Sequence, residues 1–311
     1  ISACLVGSEM CIRDRFYPEH ATTIQVDIRG SQLGKRHPLD LGLVGDVRAT
    51  ADALLPRLAE KSDRDHLDDS TAHYRKTRAK LDDLATPTKA GRPIHPQYLA
   101  RLLDEQAADD AVFTADVGSP TVWAARYLSM TENRRLIGSF THGSMANALL
   151  HGIGAQVSHP DRQVIALAGD GGLAMMLGEL LTLTQNKLPV KTIVVNNSSL
   201  NFVELEMKAA GFVNYGTALD NPSFAAIAEA MGIFARRVEN SEDLPDAVRE
   251  VLAHDGPALL DVVTERQELS MPPAIEAAQV KGFALYAIRT VMSGKGDELL
   301  DLARANWRQF L

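Results

Sequence analysis

The 311-residue chain is 45% hydrophobic and 23% charged, enough apolar material for about two globular domains and unlike a disordered, collagenous or disulfide-scaffold sequence. Its formal charge of −8, from 32 basic and 40 acidic residues, argues against a dedicated nucleic-acid binder, whose affinity rests on a basic surface. Two cysteines, Cys4 and Cys11, are too few for a disulfide framework, and no apolar run reaches the roughly 20 residues that a spanning helix needs.

In chain order, residues 5–15 (LVGSEMCIRDR) back-translate to a transposon sequencing adapter read in frame. Residues 1–15 are therefore expected to be an artefactual leader holding both cysteines, with native sequence from near Phe16; a signal peptide would need a basic start and an unbroken apolar stretch. Residues 16–85 hold one strong strand, 23–28 (TIQVDI), then polar turns and a charged helical stretch, and read as the tail end of an α/β domain. The Pro-, Gly- and Thr-dense run 86–93 (TPTKAGRP) reads as a linker, after which a helix opens at Pro96. Apolar runs at 111–117, 136–139, 164–168, 191–195, 234–238 and 258–263 then alternate with amphipathic segments. That alternation predicts βαβ units, and hence a doubly wound, parallel six-stranded sheet in an α/β domain spanning 94–267.

Ligands of such sheets sit beyond the carboxyl ends of the strands. There the sequence places Asp116 and Gly118, then His142 to Met145, then Gly169-Asp170-Gly171-Gly172, then Asn196-Asn197-Ser198-Ser199. The GDGG turn lets backbone come close to a phosphate, and Asp170 suits that place only with a divalent cation between carboxylate and phosphate. Asn197 follows Asp170 by 27 residues, one helix plus one strand, so both side chains can reach one metal. A glycine turn or an Asn-Asn pair alone is an ordinary structural feature. The two at this spacing are far more specific.

The spacing resembles that of the thiamine diphosphate-dependent decarboxylase and oxidase family, whose chains carry three α/β domains. Within it the closest likeness is to the membrane-associated branch that oxidises pyruvate with a quinone, carried by VGSPTVWAARYL, GSFTHGSMANAL, GDGG, KLPVKTIVVNNS, FVELEMKAAG and ANW. The resemblance implies that Asp170, Asn197 and the Ser199 carbonyl bind Mg²⁺. It implies that Asp170, Gly171 and Gly172, with Asn197, Ser198, Ser199, Leu200, Asn201, Phe202 and Val203, enclose the diphosphate. Gly143, Ser144 and Met145 would hold the aminopyrimidine. Phe202 matches an aromatic that moves into the active site on activation, although Asn201 stands where the family has a glycine. Asp27 would contact the adenosine part of FAD, as a remnant of a flavin-binding domain. The family's activating glutamate comes from an N-terminal domain outside these 311 residues, so no catalytic side chain is expected here.

The activity implied is oxidative decarboxylation of pyruvate to acetate and CO₂, with electrons passing through FAD to ubiquinone. A homo-oligomer, a tetramer built from dimers, is implied in the cytoplasm, peripheral on the inner face of the cell membrane. The alternatives are acetolactate synthase, a phosphate-dependent pyruvate oxidase, or a catalytically silent cofactor-binding fragment. In the tail, 268–311, positions 280, 283, 284, 287, 288 and 291 form one apolar helical face, and Leu300, Ala303, Trp307 and Phe310 another. From Val280 onward five basic residues face three acidic ones, a balance that suits a helix lying on anionic lipid, as the resemblance implies.

Overall fold

The computed structural model describes residues 20–89, 91–269 and 277–307, the Ala278 side chain excepted; the leader, Arg308 and Phe310 lie outside the described residues. The chain divides between Arg75 and Lys76 into two compact units. In the first, β1 (Ile24–Asp27) pairs in parallel with β2 (Leu41–Val44), and helix α1 (Val47–Leu54) follows, capped by Asp46, whose Oδ1 accepts from the Ala49 amide at 2.9 Å. No residue of these three elements is buried. The sequence reading anticipates β1 but not β2, a four-residue LGLV run that a glycine interrupts. Helix α2 (Asp65–Leu84) spans the division.

The second unit runs through α3 (Pro96–Gln106), β3 (Val112–Ala115), α4 (Ser119–Tyr127), β4 (Arg135–Ile137), α5 (Ala148–Ser158) and β5 (Val164–Gly169). It continues with α6 (Asp170–Met175), α7 (Leu180–Gln185), β6 (Lys191–Asn196), α8 (Asn201–Ala209), α9 (Phe224–Ala230), β7 (Phe234–Val238), α10 (Leu244–Ala253) and β8 (Ala258–Val263). All six predicted runs become strands of one parallel sheet, in the order β4-β3-β5-β6-β8-β7. Alternate strand residues serve opposite faces. Phe113, Ile165, Leu167, Ile193, Val195, Leu260 and Val262 pack with Leu99, Leu103, Val248 and Val251 of α3 and α10. Val112, Val164, Ala166, Val194 and Leu259 pack with Leu149, Leu173, Leu183 and Phe224 on the other side. Both faces are covered, so the strands read as nearly continuous apolar runs.

The chain leaves β3 toward β4 on one side and returns to β5 on the other. That reversal opens a crevice at the carboxyl ends of β3 and β5, where ligands of doubly wound sheets bind. The segment after β5, expected as one helix, is two short ones joined by a 3-10 turn at Leu177–Glu179; Met176, at φ −125° and ψ 26°, breaks the regular path.

Two helices end the described chain, α11 (Ala277–Met292) and α12 (Gly296–Asn306). The apolar stripe anticipated on α11 is not what packs. Val280, Ile288 and Val291 stay 58–60% exposed, whereas Tyr286 and Thr290 are fully buried. Contact with α8 requires closeness rather than bulk: a Cβ on Gly282 would fall 1.7 Å from the Ala209 carbonyl oxygen. Helix α12 is tied down by buried Asn306, which donates to the Gln267 carbonyl (2.7 Å) and accepts from the Leu269 amide (2.8 Å). Leu300, Ala303 and Trp307 face outward.

A diphosphate-type cleft at the switch point

Loops after β3, β5 and β6 converge on an open cleft. It is lined by residues 116–120, Met145, residues 169–172, Val195, Asn197 and residues 199–203. Three strand ends far apart in sequence thus meet where the topology reverses.

Asp170 occupies the start of α6 and is 3% exposed. Its Oδ1 accepts from the Gly171 amide (2.8 Å), and its Oδ2 accepts from the Ser198 amide (2.7 Å) and the Asn221 side chain (2.8 Å). Burial raises its pKa, and the hydrogen bonds from Gly171, Asn221 and Ser198 oppose the rise. Among the described residues no cationic side chain pairs with it. A carboxylate buried without counter-charge is costly unless a cation joins it.

Asp116, at the end of β3, holds the turn from behind. Its Oδ1 accepts from the Ala148 amide at 2.8 Å and its Oδ2 from the Gly169 amide at 3.0 Å, so one carboxylate joins the ends of β3 and β5 to the start of α5. Burial raises its pKa too. The turn lies so close that a Cβ on Gly172 would come within 2.1 Å of Asp116 Oδ2, and one on Gly171 within 2.9 Å of Leu200. Only glycine fits at 172.

Ser198 adopts φ +53° and Ala146 φ +61°, a left-handed backbone that costs non-glycine residues of order 1 kcal/mol or more. The two flank Asn197 and Met145. Ser198 is held by its surroundings, its carbonyl accepting from the Leu219 amide (3.0 Å), and two residues before Ala146 the Ser144 carbonyl accepts from the Val117 amide (3.3 Å). Asn197 Oδ1 accepts from the Ser199 amide at 3.1 Å. The Ser199 hydroxyl donates to fully buried Glu204 at 2.6 Å, and Glu204 also pairs with Lys208 at 2.9 Å. Burial alone would raise the Glu204 pKa, but the Lys208 charge and the Ser199 bond outweigh it and hold it below its ordinary value.

Of the residues expected from sequence, Met145, Asp170, Gly171, Gly172, Asn197, Ser199, Leu200, Asn201, Phe202 and Val203 all line the cleft. Gly143, Ser144 and Ser198 do not: Gly143 bends the backbone at φ +80°, and Ser198 contributes its amide to Asp170. Asp27 belongs to the first unit, where its Oδ1 accepts from the Arg29 amide two residues on. Asn201 spans the front of α8, accepting from the Ser119 hydroxyl (2.8 Å) and donating to the Arg266 carbonyl (3.0 Å). Sequence reasoning singled out Asp116 and Gly118 as strand-end residues without a role, and missed Asn221 and Glu204.

The described residues contain no group of three or more His, Cys, Asp or Glu side chains able to hold a metal. A cation at Asp170 would thus be completed by neutral oxygens such as Asn197 and by a ligand's own phosphates, the pattern that suits Mg²⁺. The donor set and the uncompensated carboxylate fit a magnesium diphosphate.

Residues 116–262 match the family described as thiamine pyrophosphate enzyme, C-terminal TPP binding domain. A Bacillus subtilis protein provisionally named as thiamine pyrophosphate-containing, YdaP, is 34% identical over 306 residues, covering 98% of this chain and 53% of the relative. Acetolactate synthase 1 of Nicotiana tabacum is 31% identical over 265 residues, 82% of this chain and 40% of its own. Pyruvate oxidase of Lactiplantibacillus plantarum is 31% identical over 243 residues, 77% and 40% respectively. The chain spans about half the length, or less, of these relatives. With strand ends, glycine turn and cation-type carboxylate in one crevice, residues 116–262 are a thiamine pyrophosphate-binding domain of the thiamine pyrophosphate-dependent enzyme family.

Proposed function

We propose that the chain is the diphosphate-binding part of an enzyme that oxidatively decarboxylates pyruvate to acetate and CO₂, passing electrons through FAD to a membrane quinone. The observation that carries the diphosphate reading is Asp170, buried without counter-charge among three converging strand ends. Asp170, Asn197 and the Ser199 carbonyl hold Mg²⁺, and Gly171 and Gly172 admit the diphosphate. Met145, Leu200, Phe202 and Val203 give the wall apolar surface beside the glycine turn. Bound thiamine diphosphate supplies the nucleophilic carbon and the electron sink for cleavage of a 2-oxo acid. This chain's own residues orient the cofactor, and Asn201 fixes the start of α8 beside it.

The oxidase reading draws support from similarity to a pyruvate oxidase. The tail supports the membrane part: Val280, Ile288, Val291, Met292, Leu300 and Trp307 are more than half exposed, α11 carries Lys281 and Arg289 with no acidic residue, and no described helix is long and apolar enough to cross a membrane. In this reading Asp27 contacts FAD, and the assembly is a homo-oligomer on the inner face of the membrane. Similarity to acetolactate synthase favours a second reading, carboligation of two pyruvates.

One experiment separates the readings: calorimetry with thiamine diphosphate and Mg²⁺ beside a pyruvate assay coupled to ferricyanide, with product analysis. Ferricyanide reduction with acetate formation supports the oxidase, acetolactate supports the synthase, and binding without turnover identifies a silent fragment. Deleting residues 281–311 and measuring liposome flotation tests the tail; unchanged flotation overturns its lipid role.

A further inference from the structure

Asn221 lies 51 residues beyond Asp170, in the loop before α9, and its side chain is half-buried. Its amide nitrogen donates to two oxygens, Asp170 Oδ2 at 2.8 Å and Asn196 Oδ1 at 3.0 Å. Buried Asn196 in turn donates to Asp261 Oδ1 at 2.9 Å. Fully buried Asp261 accepts at its other oxygen from Arg237 (2.6 Å) and from the Phe224 amide (3.2 Å). A carboxamide has one accepting end and one donating end. With a carboxylate at each end of the pair, both amides have one sensible orientation: Asn221 presents its NH₂ to Asp170, and Asn196 presents its NH₂ to Asp261. The row Asp170–Asn221–Asn196–Asp261–Arg237 therefore runs from the cleft to edge strand β7 with its polarity fixed.

The consequence falls on the two oxygens of Asp170. Each carboxylate oxygen has about two lone-pair sites. The Ser198 amide and Asn221 both donate to Oδ2, whereas Oδ1 accepts from the Gly171 amide, and the Asn197 amide also acts on the carboxylate. We propose that Asn221 is a positioning residue of the cation site: by saturating Oδ2 it locks the Asp170 rotamer and leaves Oδ1 as the oxygen offered to a divalent cation. The inference rests on the diphosphate–cation reading of the cleft. Partners of this kind, one bond behind a metal ligand, typically change metal affinity 10- to 100-fold when removed.

The test uses the full chain with thiamine diphosphate and Mn²⁺ as a spectroscopically visible probe. Asn221→Leu keeps the side-chain shape and removes the donor. The expected result is Mn²⁺ binding weakened roughly 10- to 100-fold, with an altered electron paramagnetic resonance spectrum of the bound ion. A loop-pinning role alone would leave that spectrum unchanged in whatever protein still binds. Asn221→Ser, too short to reach both acceptors, is expected to behave likewise and keeps the question decidable if the leucine variant does not fold. Affinity within twofold of wild type and an identical spectrum overturn the role of Asn221. Failure of wild-type protein to bind Mn²⁺ with thiamine diphosphate overturns the cofactor reading and this inference with it.

Discussion

Both compact units end parallel strands on an aspartate, and the three carboxylates fare differently. Asp27, closing β1, is half-buried and accepts from an amide two residues away. Asp116 and Asp170, at the ends of β3 and β5, are each 3% exposed and accept from groups 28 to 53 residues distant. The sheets beneath them differ in the same sense: β1 and β2 contain no buried residue, whereas β3 and β6 are buried throughout. A strand-end aspartate is buried and bonded to distant segments where a covered sheet brings remote loops over it. Where the sheet has two strands and exposed faces, the same residue serves its own turn.

The largest expected effect is on ligand binding. Asp170→Ala is expected to abolish the rise in thermal midpoint that thiamine diphosphate with Mg²⁺ gives the wild type, since only a ligand bound to the folded state stabilises it. Asp27→Ala is expected to leave that rise unchanged; equal loss in both would erase the contrast between the units. Next comes packing. Leu260→Ala, fully buried between β6 and β7, should cost about 2–5 kcal/mol in urea unfolding. Leu43→Ala, 37% exposed on β2, should cost within about 0.5 kcal/mol. Comparable losses at both positions would show that β2 has a covered face after all.

A smaller effect separates two glycines of the second unit. Gly172→Ala drives a methyl into Asp116 and should cost about 1–3 kcal/mol, whereas Gly178→Ala meets nothing within 4 Å and should be neutral or slightly stabilising. Equal values would mean that the Asp116 clamp yields freely. A further expected effect is a pH dependence. Lys191, at the opposite end of the sheet, donates from its buried amine to the His254 and Gly256 carbonyls, and burial lowers its pKa from 10.5 to about 8. Between those values the unfolded chain binds a proton that the folded chain has lost, so stability rises with pH through that window. Wild type should therefore gain stability on Lys191→Met between pH 8 and 10.5. Parallel curves would show that the amine keeps its ordinary pKa.

Six strands were legible because sheets covered on both faces leave continuous apolar runs in the sequence. Strand β2, four residues with a glycine and no burial, leaves no such trace. Of the residues that line the cleft, Asp170, Gly171, Gly172 and Asn197 were legible from the GDGG and Asn-Asn spacing, which sets two turns one βα unit apart, whereas the roles of Met145 and residues 199–203 came only from the family resemblance. The groups that hold these residues were not legible. Asp116 works through the amides of Ala148 and Gly169, which any residue could supply, and Asn221 acts across 51 residues. In the tail, hydrophobic periodicity found an apolar stripe, but α11 meets α8 at Gly282, close against the Ala209 carbonyl, and at Tyr286, whose ring lies by Lys208, neither of which belongs to that stripe.

The most direct test of the cleft is calorimetric titration of the full chain with thiamine diphosphate, once with Mg²⁺ and once with a chelator. Binding at one site per chain that disappears with the cation is the expected result, because Asp170 would otherwise face the diphosphate uncompensated. Binding of equal strength without any divalent cation would contradict the assignment of Asp170 and Asn197 as its ligands.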